Sequence, residues 1–207
     1  MRKDSIIFGI AGLFMGLLAG WIIGSQQGVA VRAPEPAAAP ASASGGSAQA
    51  APPALDEARA AALKATADKN PSDAETRVQL GNLYFDAERY EDATRWYEAA
   101  LGIDPKNVNA STDLGITYYY SNKPDAALAQ FERSLAIDPT HSKTLLNVGI
   151  VRAFAKEDLT GAAKAWERVL EVAPNSPEAR AAKQALDGLR TAHPGGSTPP
   201  PKSPSQP

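Results

Sequence analysis

The chain has 207 residues, a formal net charge of −2 and no cysteine. The absence of cysteine excludes disulfides, thiolate nucleophiles and cysteine-ligated metal or cofactor sites, and two distant histidines, His141 and His193, cannot form a histidine metal site or a catalytic triad. Lys and Arg number 21 against 23 Asp and Glu, a balance that does not favour nucleic acid as a partner. We therefore expect no metal, no cofactor and no nucleic-acid partner.

The N-terminal segment predicts a membrane anchor. After a stub at residues 1–4 that carries Arg2 and Lys3, the uncharged apolar run from Ile6 to Ile23 predicts a transmembrane helix at residues 5–24. At about 1.5 Å per residue the run covers roughly 27 Å, near the lower limit for crossing a bilayer. Cations before the run orient the stub toward the cytoplasm, so the rest of the chain is expected in the periplasm of a bacterium, tethered to its inner membrane.

The alternative is a cleavable signal peptide, because residues 28–30 are small and lie at a plausible cleavage position. The apolar run is longer than a signal peptide usually has, which favours the retained anchor. Within the run, glycines spaced by four share one stripe of the helix, which favours contact with a second transmembrane helix and a homo-oligomer; they are Gly12, Gly16, Gly20 and Gly24. The alternative is that glycine is simply common in such helices.

Two segments lack side chains that could form a core. Residues 25–54 are rich in Ala and Pro, and residues 191–207 are rich in Pro. Such composition predicts a disordered linker and a disordered tail. The folded body is therefore expected at residues 55–190.

The body contains an internal repeat. The pair Leu80-Gly81 recurs after 34 residues as Leu114-Gly115 and after another 34 as Val148-Gly149, while Asp104-Pro105 recurs as Asp138-Pro139. A period near 34 with two amphipathic helices per unit predicts a stacked helix-turn-helix solenoid, in which the small residues let the two helices of a unit approach closely.

These residues resemble the tetratricopeptide repeat family. The resemblance implies an all-α, right-handed α-solenoid of three units, at about residues 74–107, 108–141 and 142–176, with capping helices at 55–69 and 176–190. Ser176 is expected to cap the last helix. The third unit has one extra residue, placed around residues 156–158, and Arg152 stands where the other units have Tyr84 and Tyr118, which predicts a less typically packed layer that opens toward a partner or solvent.

In this family the first helix of each unit lines a concave face that binds a protein or peptide. Carried over to this chain, that groove consists of Glu75, Val78, Asn82, Phe85 and Asp86, then Asn109, Thr112, Ile116, Tyr119 and Tyr120, then Lys143, Leu146, Ile150, Ala153 and Phe154. The set is mostly apolar and aromatic, which suits a partner helix or an extended peptide, with Tyr119, Tyr120 and Phe154 as anchors. Some of these side chains are expected to pack inward instead.

The resemblance also bears on ligand type. Family members that grip a C-terminal carboxylate use Lys, Asn and Arg at several of these positions, and only Asn82 and Lys143 remain here. The resemblance therefore does not favour a carboxylate clamp. His141 follows Pro139 and is expected on the surface of a turn.

The carboxylates of the body stand beside cations, as in Glu132-Arg133, and do not indicate a catalytic pair. We therefore expect a membrane-tethered adaptor and not an enzyme. Its layout is similar to that of membrane-anchored repeat proteins of cytochrome c maturation. A self-assembling scaffold and an envelope factor for secretion or pilus assembly are the alternatives.

Overall fold

Residues 53–192 are described by a computed structural model and form eight α-helices joined by short turns. The helices are α1 (Glu57–Lys69), α2 (Ala74–Asp86), α3 (Tyr90–Ile103), α4 (Val108–Tyr120), α5 (Pro124–Ile137), α6 (Ser142–Ala155), α7 (Leu159–Val172) and α8 (Pro177–Ala192). The predicted anchor with its glycine stripe, the linker up to residue 52 and the tail from residue 193 lie outside the described residues. No helix between residues 53 and 192 is long and apolar enough to cross a membrane.

The helices pack as three successive hairpins. Helices α2 and α3, α4 and α5, and α6 and α7 form the hairpins, each of which packs on the next, while α1 packs on α2 and α8 packs on α6 and α7. Short turns make consecutive helices antiparallel, so α2, α4, α6 and α8 run in the same direction. The predicted all-helical solenoid of three units with two capping helices is confirmed.

Side-chain caps define where several helices begin. The carboxylates of Asp56 and Asp158 and the amide oxygen of Asn107 accept hydrogen bonds from backbone N–H groups three residues on. Ser176 Oγ accepts from the N–H of Ala179 at 3.0 Å, which confirms the predicted cap of the last helix. Such caps satisfy N–H groups that have no partner inside the helix. Because Asp56 caps α1, this helix starts at Glu57, two residues later than predicted.

A ring of the second helix covers a glycine of the first helix in every repeat. Tyr97 covers Gly81, Phe131 covers Gly115 and Trp166 covers Gly149, and a Cβ atom added at any of these glycines would overlap the ring. All three rings are at most 2% exposed. The predicted close approach of the two helices is confirmed, and it leaves no space for a side chain at the glycine.

The third repeat differs from the other two, and its structure corrects the predicted position of the extra residue. Helix α6 has 14 residues where α2 and α4 have 13, and the turn after it keeps three residues. The insertion therefore lengthens the helix and not the turn. Arg152 forms an ion pair with Asp158 at 3.6 Å and lies against Gly161, with its side chain 40% exposed. This ion pair connects α6 to the start of α7 at the position where the other two repeats have a tyrosine.

The glycine contact gives a first prediction. Gly115→Ala should lower the free energy of unfolding by about 1–3 kcal/mol, because the new Cβ must displace the fully buried Phe131 ring. Gly102→Ala is the matched control: beyond the adjoining residues and backbone of its own helix, no heavy atom lies within 4 Å of a Cβ added there. Alanine in an open helix position stabilises by about 0.5–1 kcal/mol relative to glycine. Urea denaturation followed by circular dichroism measures both. Equal shifts for the two variants would contradict the role of Gly115.

Candidate functional site

Four partly exposed aromatic side chains meet where two repeats join. Phe85 is the penultimate residue of α2, Tyr90 begins α3, and Tyr119 and Tyr120 end α4. Phe85 meets Tyr120 edge to face, with ring centroids 5.4 Å apart and an interplanar angle of 89°. Tyr90 lies 5.4 Å from Phe85 and 5.6 Å from Tyr120, and Tyr119 lies 5.8 Å from Tyr120. We call these four residues the aromatic patch.

The helix directions explain why these rings meet. The C-terminal ends of α2 and α4 and the N-terminal end of α3 lie at the same edge of the solenoid, because α3 runs antiparallel to the other two. Phe85 and Tyr119 are 34 residues apart and occupy equivalent positions in the first two repeats. Contacts of this kind contribute about 0.5–1.5 kcal/mol each beyond the area that they bury. The patch is therefore held in place before any partner arrives.

The three tyrosines of the patch are neutral at physiological pH. Burial raises the pKa of Tyr90 to about 12, and the negative charge of Glu88 adds to this shift. Burial also raises the pKa of Tyr119 and of Tyr120 above the usual tyrosine value. The patch therefore offers apolar ring surface with phenolic O–H groups that can donate hydrogen bonds.

A shallow depression borders the patch on the side of Tyr90. Its volume is about 430 Å³, and it is lined by Tyr90, Ser121, three carboxylates and two cations. One cation, Arg89, lies 2.7 Å from a carboxylate oxygen of Asp92 and sits over the Tyr84 ring. The other charged lining residues are Glu88, Glu91 and Lys123, so the three carboxylates and two cations leave a net charge of −1 at the border of the patch.

Several predicted groove residues are buried inside the domain, which corrects the prediction for them. The exposed fraction is 8% for Val78 and Ala153, 6% for Leu146 and Ile150, and 0% for Thr112. Neighbouring helices cover these positions, so they stabilise the stack and present no surface to a partner. Glu75, Asn82, Asp86 and Asn109 are exposed, and Phe85, Ile116, Tyr119, Tyr120, Lys143 and Phe154 are partly exposed.

Asn82 and Lys143, the two residues that match positions of a carboxylate clamp, both contact other side chains of the domain. The amide oxygen of Asn82 accepts a hydrogen bond of 2.6 Å from the hydroxyl of Tyr97. Lys143 Nζ lies 2.6 Å from a carboxylate oxygen of Asp113 on the neighbouring helix. Both polar groups thus hold helices together, whereas the rings of the aromatic patch contact one another and stay partly exposed.

A polar ladder joins α4 to α6, between the second and third repeats. Its rungs are Asn109–His141 at 3.1 Å, Thr112–Thr144 at 2.7 Å and the Asp113–Lys143 ion pair at 2.6 Å. The His141 ring also lies 2.7 Å from the Thr144 hydroxyl through Nδ1. His141 was predicted on the surface of a turn, and the structure instead shows a half-buried residue that links two repeats.

Comparison with known families decides the nature of the repeats. Residues 81–121 match a family model described as TPR repeat, and residues 112–177 match one described as Tetratricopeptide repeat. The two matches together span residues 81–177, and both are to tetratricopeptide repeat models. No catalytic family is indicated, and no curated protein matches the sequence.

Several solved structures share the fold. MamA is 20% identical with a TM-score of 0.58, and the match covers 65% of this chain and 77% of MamA. The first tetratricopeptide domain of Spaghetti (RPAP3), bound to the HSP90 peptide SRMEEVD, is 29% identical with a TM-score of 0.53 over 57% of this chain and 94% of that domain. The Yersinia enterocolitica type III secretion chaperone SycD, in complex with a peptide of the translocator YopD, is 17% identical with a TM-score of 0.53 over 57% and 92%.

The ladder gives a prediction on the pH dependence of stability. Burial lowers the pKa of His141 below its usual 6.5, so the unfolded tetratricopeptide domain holds this proton more tightly than the folded one. The stabilisation is fully present above about pH 6.5 and is lost as the pH falls through the interval between the unfolded and folded pKa values. Denaturation from pH 7.5 to 5.5 should show this loss in the wild type. His141→Gln should remove it, and an equal loss in this variant would contradict the role of His141.

Proposed function

We propose that this protein is a membrane-tethered interaction adaptor whose aromatic patch binds an extended peptide or a helix of a partner protein. The observation that carries the proposal is the patch itself, with four mutually packed and partly exposed aromatic side chains at one edge of a tetratricopeptide domain. Aromatic side chains supply large contact area with few rotatable bonds, and they are enriched among the residues that dominate binding energy.

The solved relatives support an interaction role. The Spaghetti domain and SycD were both solved with a bound peptide. In this chain, Val78 is buried and Lys143 is paired with Asp113, so neither groove residue is positioned to contact a partner. We therefore infer recognition through apolar contact and the phenolic O–H groups of the patch. Preorganisation of the rings reduces the entropic cost of binding.

The patch prediction concerns affinity for a partner captured from membranes with the whole chain. Tyr120→Ala and Phe85→Ala should each weaken binding by about 30-fold, or about 2 kcal/mol, because both rings lie at the centre of the patch. Tyr120→Phe retains the ring and should bind within a few-fold of wild type. Binding is measured by titration calorimetry after circular dichroism has confirmed the fold.

Two further variants place the binding surface. Glu132→Gln changes an exposed residue on α5 and should leave affinity unchanged. Phe154→Ala tests the anchor that the sequence predicted on α6. Unchanged affinity in folded Tyr120→Ala and Phe85→Ala variants would contradict binding at the patch, and loss in Phe154→Ala alone would place it on α6.

The tether is the second part of the proposal and rests on the uncharged run at residues 6–23 behind Arg2 and Lys3. N-terminal sequencing of protein isolated from membranes should begin at or near Met1, and a start near Val31 would show cleavage instead. Protease added to intact spheroplasts should digest the tetratricopeptide domain, which is expected on the periplasmic side. The narrower role in cytochrome c maturation rests on layout alone, and an apocytochrome as the captured partner would support it.

A further inference from the structure

The structure places the start of the C-terminal tail at the edge that carries the aromatic patch. Helix α8 packs on α6, and α6 packs on α4. These helices run in the same direction, so the end of α8 at Ala192 lies at the same edge as Tyr119 and Tyr120, which end α4. The chain therefore continues from the side of the domain on which the patch is exposed.

The residues after Ala192 are long enough to reach the patch. Neighbouring packed helices lie about 8–10 Å apart, so the end of α4 is roughly 20 Å from the end of α8 across α6. Residues 193–207 comprise 15 residues, six of them proline. A segment of this length would reach roughly 46 Å at about 3.1 Å per residue, the rise of polyproline II conformation.

The chemistry of the tail matches that of the patch. Proline-rich segments bind to aromatic surfaces with little loss of conformational entropy, and their carbonyl groups accept hydrogen bonds from exposed donors. The patch supplies the rings and three phenolic O–H groups, all neutral at physiological pH. Lys202 is the only Lys, Arg, Asp or Glu after Ala192, and it has the sign that Glu88 and Glu91 at the border of the patch attract.

We propose that the proline-rich segment of residues 194–207 docks on the aromatic patch of its own chain and competes there with the partner. This inference rests on the proposed function, because it assigns a second occupant to the same surface. A tethered segment is present at an effective concentration in the millimolar range, so a weak contact suffices to occupy the patch. A partner must then displace the tail, which selects against weak ligands.

The test compares the full chain in detergent micelles with a chain that ends at Ala192. The probe is a fluorescently labelled synthetic peptide of residues 194–207, followed by anisotropy. The peptide should bind the truncated chain at least about tenfold more tightly than the full chain, in which the patch is already occupied. Tyr120→Ala in the truncated chain should weaken binding about tenfold or more, whereas Glu132→Gln should leave it unchanged. A peptide with Lys202→Ala should bind a few-fold more weakly and with less dependence on salt.

Several outcomes would overturn the inference. Equal binding to the full and truncated chains, undiminished binding to a folded Tyr120→Ala variant, or no binding at about 1 mM peptide would each exclude docking on the patch. Sedimentation shows whether the full chain self-associates where the truncated chain does not, which would assign the tail to a second copy instead.

The proposed function is judged separately. If the captured partner binds the truncated chain in a manner sensitive to Tyr120→Ala while the peptide does not bind, only the tail proposal fails. If neither ligand responds to Tyr120→Ala, both proposals fail.

Discussion

The contact between a ring on the second helix and a glycine on the first sets the helix spacing in every repeat. The three rings differ in chemistry, and each is satisfied in its own way. The Tyr97 hydroxyl donates to Asn82, and the indole N–H of Trp166 donates to the carbonyl of Leu146, while Phe131 has no polar atom to satisfy. A buried polar atom needs a hydrogen-bond partner, and Asn82 supplies the partner of the Tyr97 hydroxyl. Asn82 therefore has a structural role that does not depend on a ligand. Asn82 stands at a position that contacts ligands in other members of the family, and here its side chain stabilises the packing of α3 on α2.

The two junctions between repeats use different interactions. Aromatic contacts through Phe85 and Tyr120 and one hydrogen bond from the Tyr118 hydroxyl to Glu98 join the first and second repeats. Several hydrogen bonds and an ion pair join the second and third through the polar ladder. Hydrogen bonds are directional, so the ladder fixes how α4 and α6 lie along one another. Ring contacts tolerate more geometries and leave apolar surface in solvent. The exposed ring surface therefore lies between the first and second repeats, and the polar ladder lies between the second and third.

The sequence predicted the repeat units because their pattern is local and recurs three times. The period of 34 placed the glycines and predicted the close approach of the two helices in each unit, and this approach is confirmed. The ladder could not be predicted in the same way, since its partners are 30 to 32 residues apart and depend on how far α4 is shifted along α6. The same shift places Thr112 against Thr144 of α6, which is why Thr112 is buried.

Tyr90 was missed for a different reason. The groove positions implied by the family lie on first helices, and Tyr90 begins a second helix. Only the antiparallel course of α3 brings its N-terminal residue beside the C-terminal ends of α2 and α4. The signal that could have found it is the aromatic residue placed five positions after Phe85, across a three-residue turn.

The position of the accessible surface follows from how the helices cover one another. On the first helices, Val78, Thr112 and Leu146 are covered by neighbouring helices. The residues at the C-terminal end, Phe85, Tyr119 and Tyr120, stay partly exposed. The partly exposed ring surface therefore lies at the edge of the domain where α2 and α4 end. Because α8 ends at the same edge, the residues that follow Ala192 start from the side of the domain on which the rings are exposed.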